Sequence, residues 1–163
     1  MRSGNIDVQK GSQMSETNRE FIAYILDDDV DSRGLLVSRL RSHGLSVAAF
    51  SCAADFIENH DRSRLACLIL ESKLPDMMGL ELQEFLNSQQ IWLPLIFFTA
   101  SGDISSAVSA IQNGAEDFIR KVQGTSAVVA AVERVIRGYR SGKGSGKPRH
   151  PYAPVGYRPP IRQ

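Results

Sequence analysis

Two stretches of this chain, FIAYIL at 21–26 and LACLIL at 65–70, carry apolar residues at consecutive positions, and WLPLIFF at 92–98 does so around a single proline. A strand with one wet face alternates apolar and polar side chains. A strand covered on both faces has no need to. Strands of this second kind belong to parallel sheets with helices on either side, because a parallel connection needs a long crossover that packs back on the sheet. This constraint limits the fold more than any other feature of the sequence.

The segments between these runs fit crossover helices. Residues 31–42 place Leu36, Val37 and Leu40 on one side, with Gly44 as a C-terminal stop. LSVAAF at 45–50 reads as a strand near an edge, and 53–60 as a short helix with Phe56 and Ile57 inward. Residues 80–89 form a helix on Leu82, Phe85 and Leu86. Pro94 marks the start of the strand at 92–98, since it has no N–H for a sheet ladder. Residues 103–113 gather Ile104, Ala107, Val108 and Ile111 on one face and stop at Gly114. EDFIR at 116–120 is a fifth strand. Residues 125–139 form a last helix, capped by Thr125 or Ser126, with Val128, Val132, Val135 and Ile136 inward. The expected fold is α/β: a five-stranded parallel sheet with five flanking helices, in which strands one and three are neighbours if the order is 2-1-3-4-5.

The ends differ from this body. Residues 1–20 are polar and lack a period, and read as a disordered leader. They contain no apolar stretch of the kind a secretory signal needs. Residues 140–163 hold Arg140, Lys143, Lys147, Arg149, Arg158 and Arg162, no acid and five of the seven prolines. They read as a basic disordered tail, and the body at 21–139 is mildly acidic. Tyr152 and Tyr157 interleave with these cations, as in a clamp for nucleic acid or an acidic surface, but a solubilising tail or linker is the more economical reading. Nothing after residue 139 has the apolar period of a helix-turn-helix unit. Two cysteines make no disulfide framework, no Cys/His cluster has zinc spacing, and no apolar run spans a bilayer. These features point to the cytoplasm.

In a parallel sheet the strand C-termini share one edge. With order 2-1-3-4-5, strands one and three meet at the switch point where such sheets build their sites. Asp27 and Asp28 follow strand one, Glu71 follows strand three, Thr99 ends strand four and Lys121 ends strand five. Three carboxylates in one place repel unless a cation intervenes. Lys121 supplies one positive charge, and a hard divalent cation such as magnesium is the candidate for the rest. Read more plainly, Asp27-Asp28-Asp29 is an acidic helix start, Thr99 a turn cap and Phe118 a core aromatic.

Four segments in register, YILDDDVDSR at 24–33, LILESKLPDMMGLEL at 68–82, LIFFTASGD at 95–103 and GAEDFIRK at 114–121, give the chain a resemblance to a bacterial response-regulator receiver domain. The resemblance covers residues 21–139. It implies a partner histidine kinase, with an aspartate at the Glu71 position taking the phosphoryl group. It implies magnesium held by the Asp27 and Asp28 carboxylates and the Lys73 carbonyl. It implies Thr99 and Lys121 engaging the phosphoryl group, and Phe118 turning inward as Thr99 moves. The output face would then be that of helix four, strand five and helix five, around Ile104 to Ile111 and Phe118 to Arg137, with Ile104, Val108, Ile111 and Phe118 its partner-facing residues.

Two positions depart from that pattern. Val122 replaces the proline that usually follows the lysine, and a trans bond or a shifted Lys121 is expected there. Glu71 replaces the aspartate. Its extra methylene moves the carboxylate by about 1.5 Å, one C–C bond, and a misplacement of about 1 Å costs on the order of 100-fold in rate. The expectation is a receiver that is not an enzyme and does not depend on phosphorylation. Glu71 is then either a phosphomimic reaching for Lys121 and Thr99 or an inert acid, and magnesium binds weakly or not at all. Output would run through contacts with another signalling protein or a second copy of the chain, with no membrane partner. A conventional phosphorelay receiver is the first alternative, and a nucleic-acid-binding accessory acting through the tail is the second.

Overall fold

The computed structural model describes residues 21–141. The leader expected over 1–20, and the tail beyond 141, lie outside the described residues. Elements alternate as β1 (Phe21–Leu26), α1 (Val30–Ser42), β2 (Ser46–Phe50), α2 (Ala53–Asn59), β3 (Leu65–Leu70), α3 (Gly79–Ser88), β4 (Leu95–Thr99), α4 (Ile104–Gln112), β5 (Asp117–Arg120) and α5 (Thr125–Arg140). The strands form one parallel sheet in the order β2-β1-β3-β4-β5, as expected.

The continuous apolar runs divide between two cores. Phe21, Ala23 and Ile25 of β1, with Cys67 and Ile69 of β3, face α1 and α5. Ile22, Tyr24 and Leu26, with Ala66, Leu68 and Leu70, face α2, α3 and α4. Successive side chains of a strand point to opposite faces, so a buried strand needs an apolar residue at every position. Burial also drives the Cys67 thiol pKa upward, which makes it a packing group rather than a nucleophile.

Several local expectations are corrected. Trp92 and Pro94 precede β4, and the Pro94 carbonyl accepts from Leu68 N–H at 2.9 Å, so the proline does mark the start of the strand. Leu82 and Leu86 of α3 are buried as expected, but Phe85 is exposed, and Gln83 is fully buried beside them. Its Nε2 donates to the Ala110 carbonyl at 2.9 Å and ties α3 to α4. Neither Thr125 nor Ser126 caps α5. A short 3-10 turn at Lys121–Gln123 leads through Gly124, at φ 86, directly into a helix in which Thr125 is already the first residue. At the other end of α5 the Tyr139 hydroxyl donates to the Ala66 carbonyl at 3.2 Å. Burial there pushes its pKa up to about 12.

One contact joins distant parts of the sheet edge. The residue before α2, Cys52, offers its helix no side-chain cap. Asp76, in the loop after β3, does so from outside: its two oxygens accept from Ala53 N–H at 3.0 Å and Ala54 N–H at 2.9 Å. Chiefly through the Ala53 bond, the Asp76 carboxyl is held below its ordinary value of 3.8. A lowered folded-state pKa gives stability that is present above the ordinary value and lost as pH falls through the folded one. Asp76→Ala is expected to cost about 0.5–2 kcal/mol, the range for a lost helix cap, as measured by urea unfolding at neutral pH. The gap between the two proteins should narrow as the pH drops below 3.8.

Candidate functional site

The register places the site. Leu26 pairs with Leu70, and Leu70 with Phe97. Asp27 and Glu71 therefore leave their strands side by side, each still tied to the sheet: Asp27 N–H donates to Phe50 O at 3.1 Å and Glu71 N–H to Leu26 O at 2.9 Å. Thr99 pairs with Arg120, which brings Lys121 to the same edge.

Lys121 Nζ lies 2.8 Å from Asp27 Oδ2 and 2.9 Å from Glu71 Oε2. The other oxygens are also met. Asp27 Oδ1 accepts from Asp29 N–H at 3.0 Å, and Glu71 Oε1 from Ser72 N–H at 2.7 Å. Glu71 Oε2 further accepts from Ala100 N–H at 3.3 Å. Both acids are buried, at 4% and 6% exposure, so each carboxylate oxygen needs the donor it has. Burial alone would lower the Lys121 pKa. Hydrogen bonds to Asp27 and Glu71, and their charges, outweigh it and hold the ammonium above its ordinary 10.5.

The three acids after β1 separate by role. Asp27 enters the site, and Asp28 is exposed to solvent. Asp29 caps α1 by accepting from Asp31 and Ser32 N–H at 2.9 and 3.1 Å. The expected convergence of Asp27, Asp28 and Glu71 is thus reduced to two acids and one lysine. Among the described residues no three of His, Cys, Asp and Glu are placed together to hold a metal ion. The Lys121 ammonium stands between the two buried carboxylates that the family pattern would offer to magnesium.

Thr99 follows its plainer reading, a turn cap, rather than reaching Glu71. Its hydroxyl donates to Ser101 O and accepts from Ser101 N–H, each at 3.1 Å, and makes no bond to Glu71. The group that Glu71 reaches on this loop is the backbone of the next residue. The bond between Lys121 and Val122 is trans, in line with expectation.

The loop after β3 is held close to its strand. Lys73 and Met78 form an antiparallel bridge across it, and Lys73 itself is exposed. Met77 packs against the core and Met78 does not. Gly79 N–H donates to Ser72 O at 2.7 Å, and a Cβ on Gly79 would stand 2.8 Å from the Glu71 carbonyl and 3.0 Å from the Phe97 ring. The role of Gly79 is close packing on the peptide that carries Glu71. A cleft of about 470 Å³ opens between this loop and the one after β4, lined by Lys73, Met78, Ser101 and Asp103 among others.

Beyond that cleft, Phe118 lies inward and stacks on Phe97 with centroids 5.6 Å apart. The larger apolar residues of α4 lie away from the core. Ile104 is 85% exposed, and Val108 and Ile111 are each 47% exposed. Only Ala110 of this helix is buried.

A five-stranded parallel sheet of this order, with acids and a lysine meeting at its C-terminal edge, defines the receiver class of signalling domains. The family model for the response regulator receiver domain matches residues 23–133, and the chain belongs to that family. It is 39% identical over 121 residues to the response regulator protein TodT of Pseudomonas putida, covering 74% of this chain and 53% of that protein. It is 35% identical over 136 residues to nodulation protein W of Bradyrhizobium diazoefficiens, covering 81% of this chain and 60% of that protein. Among solved structures, the response regulator StyR superposes with a TM-score of 0.69 at 34% identity, over 76% of this chain and 64% of that one. FixJ-N superposes with a TM-score of 0.66 at 31% identity, over 73% and 95%. The chain spans roughly half the length of the curated relatives it matches. It is a response regulator receiver of two-component signalling. No helix among the described residues is long and apolar enough to cross a membrane.

The Lys121 bridge gives a stability prediction. A raised lysine pKa means stability that is fully present below the ordinary 10.5 and is lost only as pH rises through the folded value. Lys121→Met should cost about 2–3 kcal/mol, the scale of lost charge-assisted hydrogen bonds to buried acceptors. Urea unfolding should show this cost to be level between pH 6 and 9 (roughly the span in which neither the carboxylates nor the lysine ordinarily titrate). It should shrink above pH 10.5.

Proposed function

We propose that this receiver works without phosphorylation, with the Glu71 carboxylate as a standing substitute for the phosphoryl group. One observation carries the reading: Glu71 Oε2 accepts from both Lys121 Nζ, at 2.9 Å, and Ala100 N–H, at 3.3 Å. In the family pattern an aspartate occupies this position, and lysine engages the phosphoryl group it receives. The longer side chain brings its own negative charge to the lysine and to the β4–α4 loop. A carboxylate has less charge and fewer acceptor oxygens than a phosphoryl group, and the mimicry is partial. The Thr99 hydroxyl stays bonded to Ser101, which fits this incomplete engagement. Magnesium would have to displace the Lys121 ammonium to reach Asp27 and Glu71, and so binds weakly or not at all.

On this reading the chain is a signalling module rather than an enzyme. Its output surface is the exposed apolar face of α4, Ile104, Val108 and Ile111, continued by Phe118 on β5. The partner is another signalling protein or a second copy of the chain. Cys52 and Cys67 are both free, which fits a reducing cytoplasm. A conventional phosphorelay receiver is the second reading. It is favoured by identity of 39% to a response regulator and by Asp27 and Lys121 standing together. Nucleic-acid binding through the basic tail rests on residues outside those described.

Incubation with acetyl phosphate and magnesium separates the first two readings. The wild type should stay unmodified, and Glu71→Asp should acquire a hydroxylamine-sensitive phosphate. A stable acyl phosphate on Glu71 would sink the proposal. Sedimentation or partner-binding measurements on Glu71→Gln should show association weakened several-fold, because the neutral amide removes the standing charge. Equal association of Glu71→Gln and wild type would leave Glu71 an inert acid.

A further inference from the structure

We propose that Gly102 is the steric seat on which the inward position of Phe118 depends, and that it couples the Glu71 pair to the α4 face. The inference rests on the proposed active-like role of Glu71 and adds the residue that lets the aromatic ring respond to it.

The geometry is close. A Cβ built on Gly102 would stand 2.5 Å from Phe118 Cε1, 2.9 Å from Cζ and 3.1 Å from the Thr99 methyl Cγ2. Real Cβ atoms do not approach carbon this closely, so the ring occupies the space a side chain at 102 would need. Gly102 is not among the positive-φ residues of the chain. Its φ does not call for glycine, and the Phe118 ring is the chief obstacle to a side chain there, with the Thr99 methyl the next. Gly102 is therefore a glycine for the sake of Phe118 rather than of its own turn.

The ring has somewhere else to go. Phe118 lies on β5, an edge strand that pairs only with β4, and it is only partly buried. An outward rotation would release its stacking on Phe97 and open no gap in a fully buried layer. The inward seat itself belongs to the loop that Glu71 touches. Glu71 Oε2 holds Ala100 N–H, the Thr99 hydroxyl and Ser101 backbone hold each other, Gly102 carries the ring, and Asp103 caps α4 by accepting from Ser106 N–H at 2.7 Å. Five consecutive residues, Thr99 to Asp103, thus join the buried charge pair, the ring and the start of the exposed helix. A shift of the loop changes the seat, and the ring follows.

The test is Gly102→Ala in the full chain, read by NMR through the nuclear Overhauser contact between the Phe118 ring and the Thr99 methyl. This contact should be present in wild type and lost in Gly102→Ala, with backbone shift changes running into Ile104–Val108. In a Phe118→Ala background the alanine at 102 should leave those α4 shifts unmoved. Retention of the ring–methyl contact in Gly102→Ala overturns the proposal, whether or not stability changes. Failure of Gly102→Ala to fold overturns it too: folding of the double variant would mean that the ring has no outward position, and failure of both would place the cause outside residue 118. Glu71→Gln separates this proposal from the reading beneath it. If Gly102→Ala expels the ring while Glu71→Gln leaves both ring and α4 unchanged, the seat stands and the standing-charge role of Glu71 falls.

Discussion

The sheet edge depends on one ammonium group. Two buried carboxylates, Asp27 and Glu71, leave neighbouring strands side by side, and without a positive charge between them they would repel in a site that little water reaches. Lys121 lies within 2.9 Å of both. The bridge spans β1, β3 and the end of β5, which pins three of the five strand tips together. Its cost is the burial of charge, which excellent geometry offsets only when every remaining oxygen finds a donor. Here the N–H groups of Asp29, Ser72 and Ala100 complete that set.

The loops around this pair are held by contacts that bring backbone and small side chains unusually close. Gly79 lies against the peptide of Glu71, Gly102 under the Phe118 ring, and Asp76 reaches across to cap α2. None of these groups touches the charge pair through its own side chain. Each limits where a loop can go, and so fixes the orientation of the groups that do.

Much of this was legible in the residues. Consecutive apolar positions in FIAYIL and LACLIL imply strands covered on both faces, and their alternation with helices implies a parallel sheet. The acids and the lysine fall where strands end, so their meeting could be anticipated. What could not be anticipated was the division of labour within Asp27-Asp28-Asp29. Identical side chains at adjacent positions point in different directions, and only the path of the turn makes one a site residue, one a solvent-facing acid and one a helix cap. Buried Gln83 and exposed Phe85 are a second case. Hydropathy favoured the aromatic, but the core side of α3 is set by how that helix sits on the sheet and on α4, where an amide reaches the Ala110 carbonyl.

The sequence by itself determined the layers and the chemical content of the edge, because these depend on the period of apolar residues and on where the period breaks. Tertiary structure decided the contacts within that edge. Thr99 turns its hydroxyl to Ser101, and Glu71 meets Lys121 and Ala100 N–H instead. Such choices turn on distances of a few tenths of an ångström between segments far apart in the chain. No local pattern encodes those distances; they appear only once the register Leu26–Leu70–Phe97 has brought the strand tips together.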